Sequence, residues 1–139
     1  MKYYAVIDTN VIVSALLKEN SIPWQILDLV VNQDIIPVYN DDIIKEYQEV
    51  LTRNKFGFSL TKVAMTLSLI RDYGIKLTRA EIIEQFTDKK DIIFYQIVMT
   101  ATQNFDNSYL ITGNFKHFPK KKFIVTPAEM IEIISQNTK

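Results

Sequence analysis

Tyr3-Tyr4-Ala5-Val6-Ile7-Asp8-Thr9-Asn10 joins an apolar run to a polar triplet, and a helical stretch begins at Val11. An uninterrupted apolar run of this length reads as a buried parallel strand. A carboxylate at the C-terminal end of such a strand projects into the crevice where open α/β sheets bind ligands. The helix that follows turns its free N–H groups and positive dipole end toward the same place. Asp8 can therefore hold a metal ion or act on a phosphate. Equally, Asp8 or Asn10 can simply cap the helix, and this segment by itself leaves both readings open.

Working outward, strand and helix signals alternate. Helical segments cover Val11 to Lys18 and roughly Pro23 to Asn32, the second with Ser21 near its start and Pro23 in its first turn. Ile35 to Tyr39 reads as a second strand, whose Pro37 suits a strand end or a sheet edge. Asn40 caps a helix to about Arg53, with Ile43, Ile44, Tyr47, Val50 and Leu51 at helical spacing. Another helix spans Leu60 to Tyr73 between Ser59 and Gly74. Ile75 to Leu77 reads as a short strand, and Thr78-Arg79-Ala80-Glu81 as a capping box opening a short helix. A helix from about Lys89 to Gln103 is apolar nearly all round, as a buried helix is. Tyr109 to Thr112 and Phe123 to Val125 read as strands. Thr126-Pro127-Ala128-Glu129 starts a last helix, to about Ser135. Strands separated by helices predict one α/β domain over 1–139, a three-layer α/β/α sandwich around a mainly parallel sheet of four or five strands.

Composition narrows the chemistry. Sixteen Lys+Arg against sixteen Asp+Glu leave no net charge, so contact with a polyanion needs a local patch. The chain has no cysteine, which excludes disulfides and thiolate chemistry, and its one histidine excludes a multi-histidine zinc site. Metal chemistry would be oxygen-based, pointing to Mg²⁺ or Mn²⁺. Nothing reads as a signal peptide or a membrane span, so a soluble, cytoplasmic protein is expected.

Polar groups fall where such a sheet would gather them. Asp8 ends the first strand. Glu46 borders the apolar arc of its helix, where it can point inward over the sheet or lie exposed with a buried stem. Asp88 and Asp91 open the buried helix, where Asp88 suits the N-cap and Asp91 the first turn. Thr112-Gly113-Asn114 follows a strand, and its glycine permits a tight turn or a close backbone approach. Lys116 and Lys120-Lys121-Lys122, around His117, form the densest basic segment. It can contact phosphates or be a solvated loop, and His117 can bind phosphate or cap local structure.

In these motifs the chain resembles the PIN domain, the metal-dependent ribonuclease fold of many prokaryotic toxin–antitoxin toxins. The likeness runs through Val6-Ile7-Asp8-Thr9-Asn10-Val11, Ile43-Ile44-Lys45-Glu46-Tyr47, Asp88-Lys89-Lys90-Asp91 with Phe94-Tyr95, and Leu110-Ile111-Thr112-Gly113-Asn114, then on to Lys116-His117-Phe118-Pro119. It implies RNA hydrolysis at acids binding Mg²⁺ or Mn²⁺. By position Asp8, Glu46 and Asp91 match the characteristic acids, with Asp88 a rival to Asp91. Asn114 stands where the family usually has an aspartate, which weakens a second metal site. Thr9 and Asn10 would orient Asp8 or the phosphate, with Thr112 as a further supporting residue. Lys116, His117, Lys120, Lys121 and Lys122 would meet RNA. A protein antitoxin and a homodimer are implied partners, for which Leu60 to Ile70 offers an apolar face, although burial in the domain's own core accounts for the same stripe. Two other readings are a PIN fold that binds without catalysing, favoured by Asn114, and a haloacid-dehalogenase-like phosphotransferase. The latter needs a second aspartate where Asn10 stands.

Overall fold

A computed structural model describes residues 1–137. Five parallel strands form one sheet in the order β3-β2-β1-β4-β5, with β1 Tyr3–Ile7, β2 Ile35–Tyr39, β3 Ile75–Lys76, β4 Ser108–Ile111 and β5 Ile124–Val125. Six helices flank it: α1 Thr9–Leu17, α2 Ile22–Val31, α3 Asp41–Leu51, α4 Leu60–Tyr73, α5 Lys89–Asn104 and α6 Pro127–Asn137. The result is the α/β/α sandwich expected from the alternating pattern.

β1 lies at the centre because it is apolar on both faces. Ala5, Val6 and Ile7 are completely buried. Burying a side chain the size of Val6 or Ile7 contributes about 1.5–3 kcal/mol. α5 crosses β1, β2 and β4, while α2 and α4 pack on β2. Helix starts are fixed by local side chains. Asn40 Oδ1 accepts from Ile43 N at 3.0 Å, Ser59 Oγ accepts from Lys62 N at 3.0 Å, and Thr126 and Glu129 form a reciprocal capping box.

Three expectations are refined. Pro37 sits in an interior strand rather than at a border of the sheet. The Tyr39 carbonyl accepts from Leu77 N on the β3 side. Pro37, two residues earlier, faces that same side, where β3 has not begun because its first pair is Val38 with Ile75. The missing N–H thus removes no ladder bond. Second, the stripe on α4 divides: Val63, Leu67 and Ile70 are core, whereas Leu60 and Ala64 are exposed.

Third, no helix follows the capping-box sequence at Thr78. Residues 77–86 run as an extended strap, with Ala80, Ile82, Glu84 and Phe86 turned inward and Glu81, Ile83 and Gln85 outward. Long-range bonds override the local signal. Ala80 N donates to the Gln96 carbonyl at 3.2 Å, and the Thr78 carbonyl accepts from Thr100 Oγ1 at 2.6 Å, so both tie the strap to α5. Phe86 then joins Tyr95 and Phe118 in an aromatic cluster.

Gly74 ends α4 where it meets β2. A Cβ there would lie 2.3 Å from the Ile70 carbonyl oxygen and 2.5 Å from that of Pro37. Both contacts are backbone and cannot swing aside. Gly74→Ala is expected to lose roughly 1–3 kcal/mol of stability, measured by urea denaturation with an unchanged m-value.

Candidate active site

The register of β1 on β4 builds the site. Ile7 pairs with Ile111, which places Asp8 beside Thr112 just past the ends of the two strands. Asp8 N–H donates to the Ile111 carbonyl at 2.9 Å and so extends the ladder by one bond. Asp8 occupies the N-cap position of α1, but its side chain makes no capping hydrogen bond. Its Oδ2 instead accepts from Thr112 Oγ1 at 2.7 Å and from Asn10 Nδ2 at 3.2 Å. The capping reading of Asp8 is thereby removed.

A small network holds this carboxylate. Thr112 Oγ1 accepts from Asn114 N at 3.0 Å while donating to Asp8, so the backbone of the following turn sets the hydroxyl's direction. Asn10 bridges the two strand ends, donating to Asp8 and accepting from Gly113 N at 3.3 Å through Oδ1. A Cβ on Gly113 would stand 3.6 Å from Asn10 Oδ1, an ordinary contact, so neither a tight turn nor a close approach requires glycine there. The Thr9 hydroxyl is buried without a hydrogen-bond partner and does not orient Asp8. From the other side, the buried Tyr47 hydroxyl on α3 donates to the Ile7 carbonyl, pinning α3 to the end of β1.

Asp91 comes from the first turn of α5. Its side chain is mostly buried, and its Oδ2 lies 3.3 Å from His117 Nδ1. Burial pushes the Asp91 carboxyl up to about 6; His117 opposes the rise, and the charges of Asp8 and Asp88 add to it. Asp8 is also raised, chiefly by burial, against the lowering effect of Thr112 and the neighbouring donors. Asp88 is the N-cap of α5, its Oδ1 accepting from Lys90 N at 2.9 Å, and it is exposed. Glu46 is half-buried on α3 and raised mainly by burial, with Lys90 opposing and Asp88 among the charges that add. Electrostatic contact thus runs from Asp8 to Asp91, on to Asp88, and from Asp88 to Glu46.

Asp88, Asp91, Lys116 and His117 line one cavity of about 690 Å³, closed on one side by the strap from Glu84 to Thr87. Asn114 lines a separate, smaller hollow with Asn10 and Gly113. Lys120, Lys121 and Lys122 line a neighbouring cavity rather than the acidic one. One network was not legible in the sequence. Glu84 Oε2 accepts from Tyr95 Oη at 2.6 Å and lies 3.9 Å from Lys121 Nζ, clamping the strap beside the cleft. Its only trace in the sequence is a tyrosine within a buried helix.

In kind, these donors fit a hard divalent cation. They are oxygens, and burial raises the Asp8 and Asp91 carboxyls despite the donors around them. Among the described residues, no three acidic or histidine side chains stand close enough together to hold an ion as they lie. Asp8 and Asp91 are the coupled pair, and Glu46 would join through water.

A family model described as PIN domain matches residues 4–116 of the chain. An uncharacterized protein of Methanocaldococcus jannaschii is 46% identical over 46 residues, which are 33% of this chain and 30% of that protein. The chain therefore spans less than a third of that relative's length. No solved structure matches it.

Asp91 gives a pH prediction. Because its carboxyl is raised in the fold, the folded state binds the proton more tightly than the unfolded chain does. Stability therefore falls as pH rises from about 4 through about 6. In EDTA, Asp91→Asn should melt higher than the parent at pH 7.5, by the equivalent of about 1–2 kcal/mol, and the gain should shrink toward pH 4. Thermal unfolding at the two pH values measures it.

Proposed function

The chain belongs to the PIN-domain family, and from that premise we propose that it is a divalent-metal-dependent endoribonuclease, the toxin of a cytoplasmic toxin–antitoxin pair. PIN domains are generally nucleases. The observation that carries the reading is Asp8: a buried carboxylate at the end of the central strand, turned away from helix capping and coupled to Asp91.

Asp8 and Asp91 would hold Mg²⁺ or Mn²⁺, with Glu46 acting through water and with Asp88 and Asn114 at the margin. When bound, the ion neutralises the scissile phosphate and lowers the pKa of water. Thr112 and Asn10 fix the rotamer of Asp8, so the site is organised before substrate arrives. Lys116 and His117, on the same cavity as Asp91, would face the phosphate. Water adds to phosphorus as a P–O ester bond breaks, and the leaving oxygen takes a proton. No helix among the described residues is long and apolar enough to cross a membrane.

A binding-only PIN module is the second reading. It is favoured by Asn114, which supplies an amide in place of a carboxylate, and by the spacing of the acids. The phosphotransferase reading is set aside, because Asn10 is an amide committed to Asp8 and Gly113. The antitoxin and a homodimer remain proposals, with exposed Leu60 and Met65 on α4 as a surface for either.

Mn²⁺ should raise the melting temperature by binding the folded state selectively, and Asp8→Asn should abolish most of that shift. Equal shifts in both proteins would count against the site. In a cleavage assay on varied RNAs with Mn²⁺, Asp8→Asn should lose at least about a hundredfold in rate, and Thr112→Val about ten- to a hundredfold. Binding without cleavage under any divalent ion would select the second reading.

A further inference from the structure

Phe115 opens the 3-10 turn Phe115–His117, directly after Asn114, and is 46% exposed. Its neighbour in the sequence, Phe118, is buried against Phe86 and belongs to the core. Phe115 lines a cavity of about 500 Å³ whose other walls include Lys116, Lys120, Lys121 and Lys122. That volume suits one planar ligand group. The cavity shares Lys116, Phe118 and Pro119 with the acidic cavity, so the two lie side by side. The acidic side chain on its far wall, Glu129, is engaged at the start of α6 by Thr126 N at 2.9 Å, so its charge is partly met.

An exposed aromatic face among lysines, one step from an acidic cleft, matches the combination that binds unpaired nucleic acid: cations for the backbone and a ring on which a base stacks. Paired bases are already stacked and cannot occupy such a platform. We propose that Phe115 and the surrounding lysines form a stacking subsite for one unpaired base of the RNA strand that reaches Asp8 and Asp91. The inference rests on the nuclease reading above and adds to it a base-stacking residue. The lysines track phosphates in either form of RNA, and Phe115 alone reads the free base.

The test is fluorescence anisotropy in EDTA, which prevents cleavage, with a short labelled RNA either single-stranded or annealed to its complement. Phe115→Ala should weaken single-strand binding roughly five- to a hundredfold, the effect of one lost base stack, and leave duplex binding unchanged. Phe115→Tyr should retain single-strand affinity. Phe115→Leu, which keeps the apolar bulk and so the local packing, should lose it like alanine. Replacing Lys120, Lys121 and Lys122 together should weaken both RNAs and flatten the salt dependence. Retained single-strand affinity in Phe115→Leu, or equal losses on both RNAs, overturns the subsite; cleavage by the parent protein then still supports the nuclease reading. A parent protein that neither binds nor cleaves RNA overturns both.

Discussion

Thr112 donates its hydroxyl proton to Asp8 across the seam between β1 and β4, and Asn10 donates to the same oxygen. Everything at the site depends on this pairing. A carboxylate out of water is costly unless donors surround it, and here the donors come from residues more than a hundred positions apart in the chain. The register of β1 on β4 is what lets them meet. A slip of one residue would turn Thr112 to the opposite face of the sheet and strand the acid. Fold specificity and site geometry are therefore set by the same hydrogen bonds.

The donors do not satisfy the acid completely. Asp8 remains raised despite Thr112, the Thr9 backbone amide and Asn10, and Asp91 remains raised despite His117 beside it. Burial thus outweighs the donors at both acids, and perturbation of this kind is concentrated at functional sites. From the opposite side, the Tyr47 hydroxyl satisfies the last β1 carbonyl, next to Asp8 in the chain.

Much of this was legible in the chain. β1, α4 and the capping box of α6 follow from apolar runs and capping residues that act within one turn, where sequence neighbours are also spatial neighbours. Asp8 and Asp91 were legible because each sits at a junction whose position in an α/β sheet is dictated by topology. The strap was misread for the converse reason. Thr78 and Glu81 carry a capping-box pattern, but Gln96 and Thr100 take the backbone groups that a helix would have used, and Phe86 gains an aromatic pocket only in the extended form. The Asn10–Gly113 bridge and the Glu84–Tyr95–Lys121 clamp share that character. Each depends on a contact that no local pattern encodes.

The two outermost strands, β3 and β5, are two residues long each. Where β3 does not reach, the unpaired stretch of β2 carries the buried Pro37, which has no N–H to offer. An intruding chain would find almost no unpaired backbone ladder along either margin of the sheet. A protein with such hydrophobic central strands would otherwise be prone to strand-by-strand polymerisation. Here the shortness of its flanks keeps that apolar interior from templating fibres.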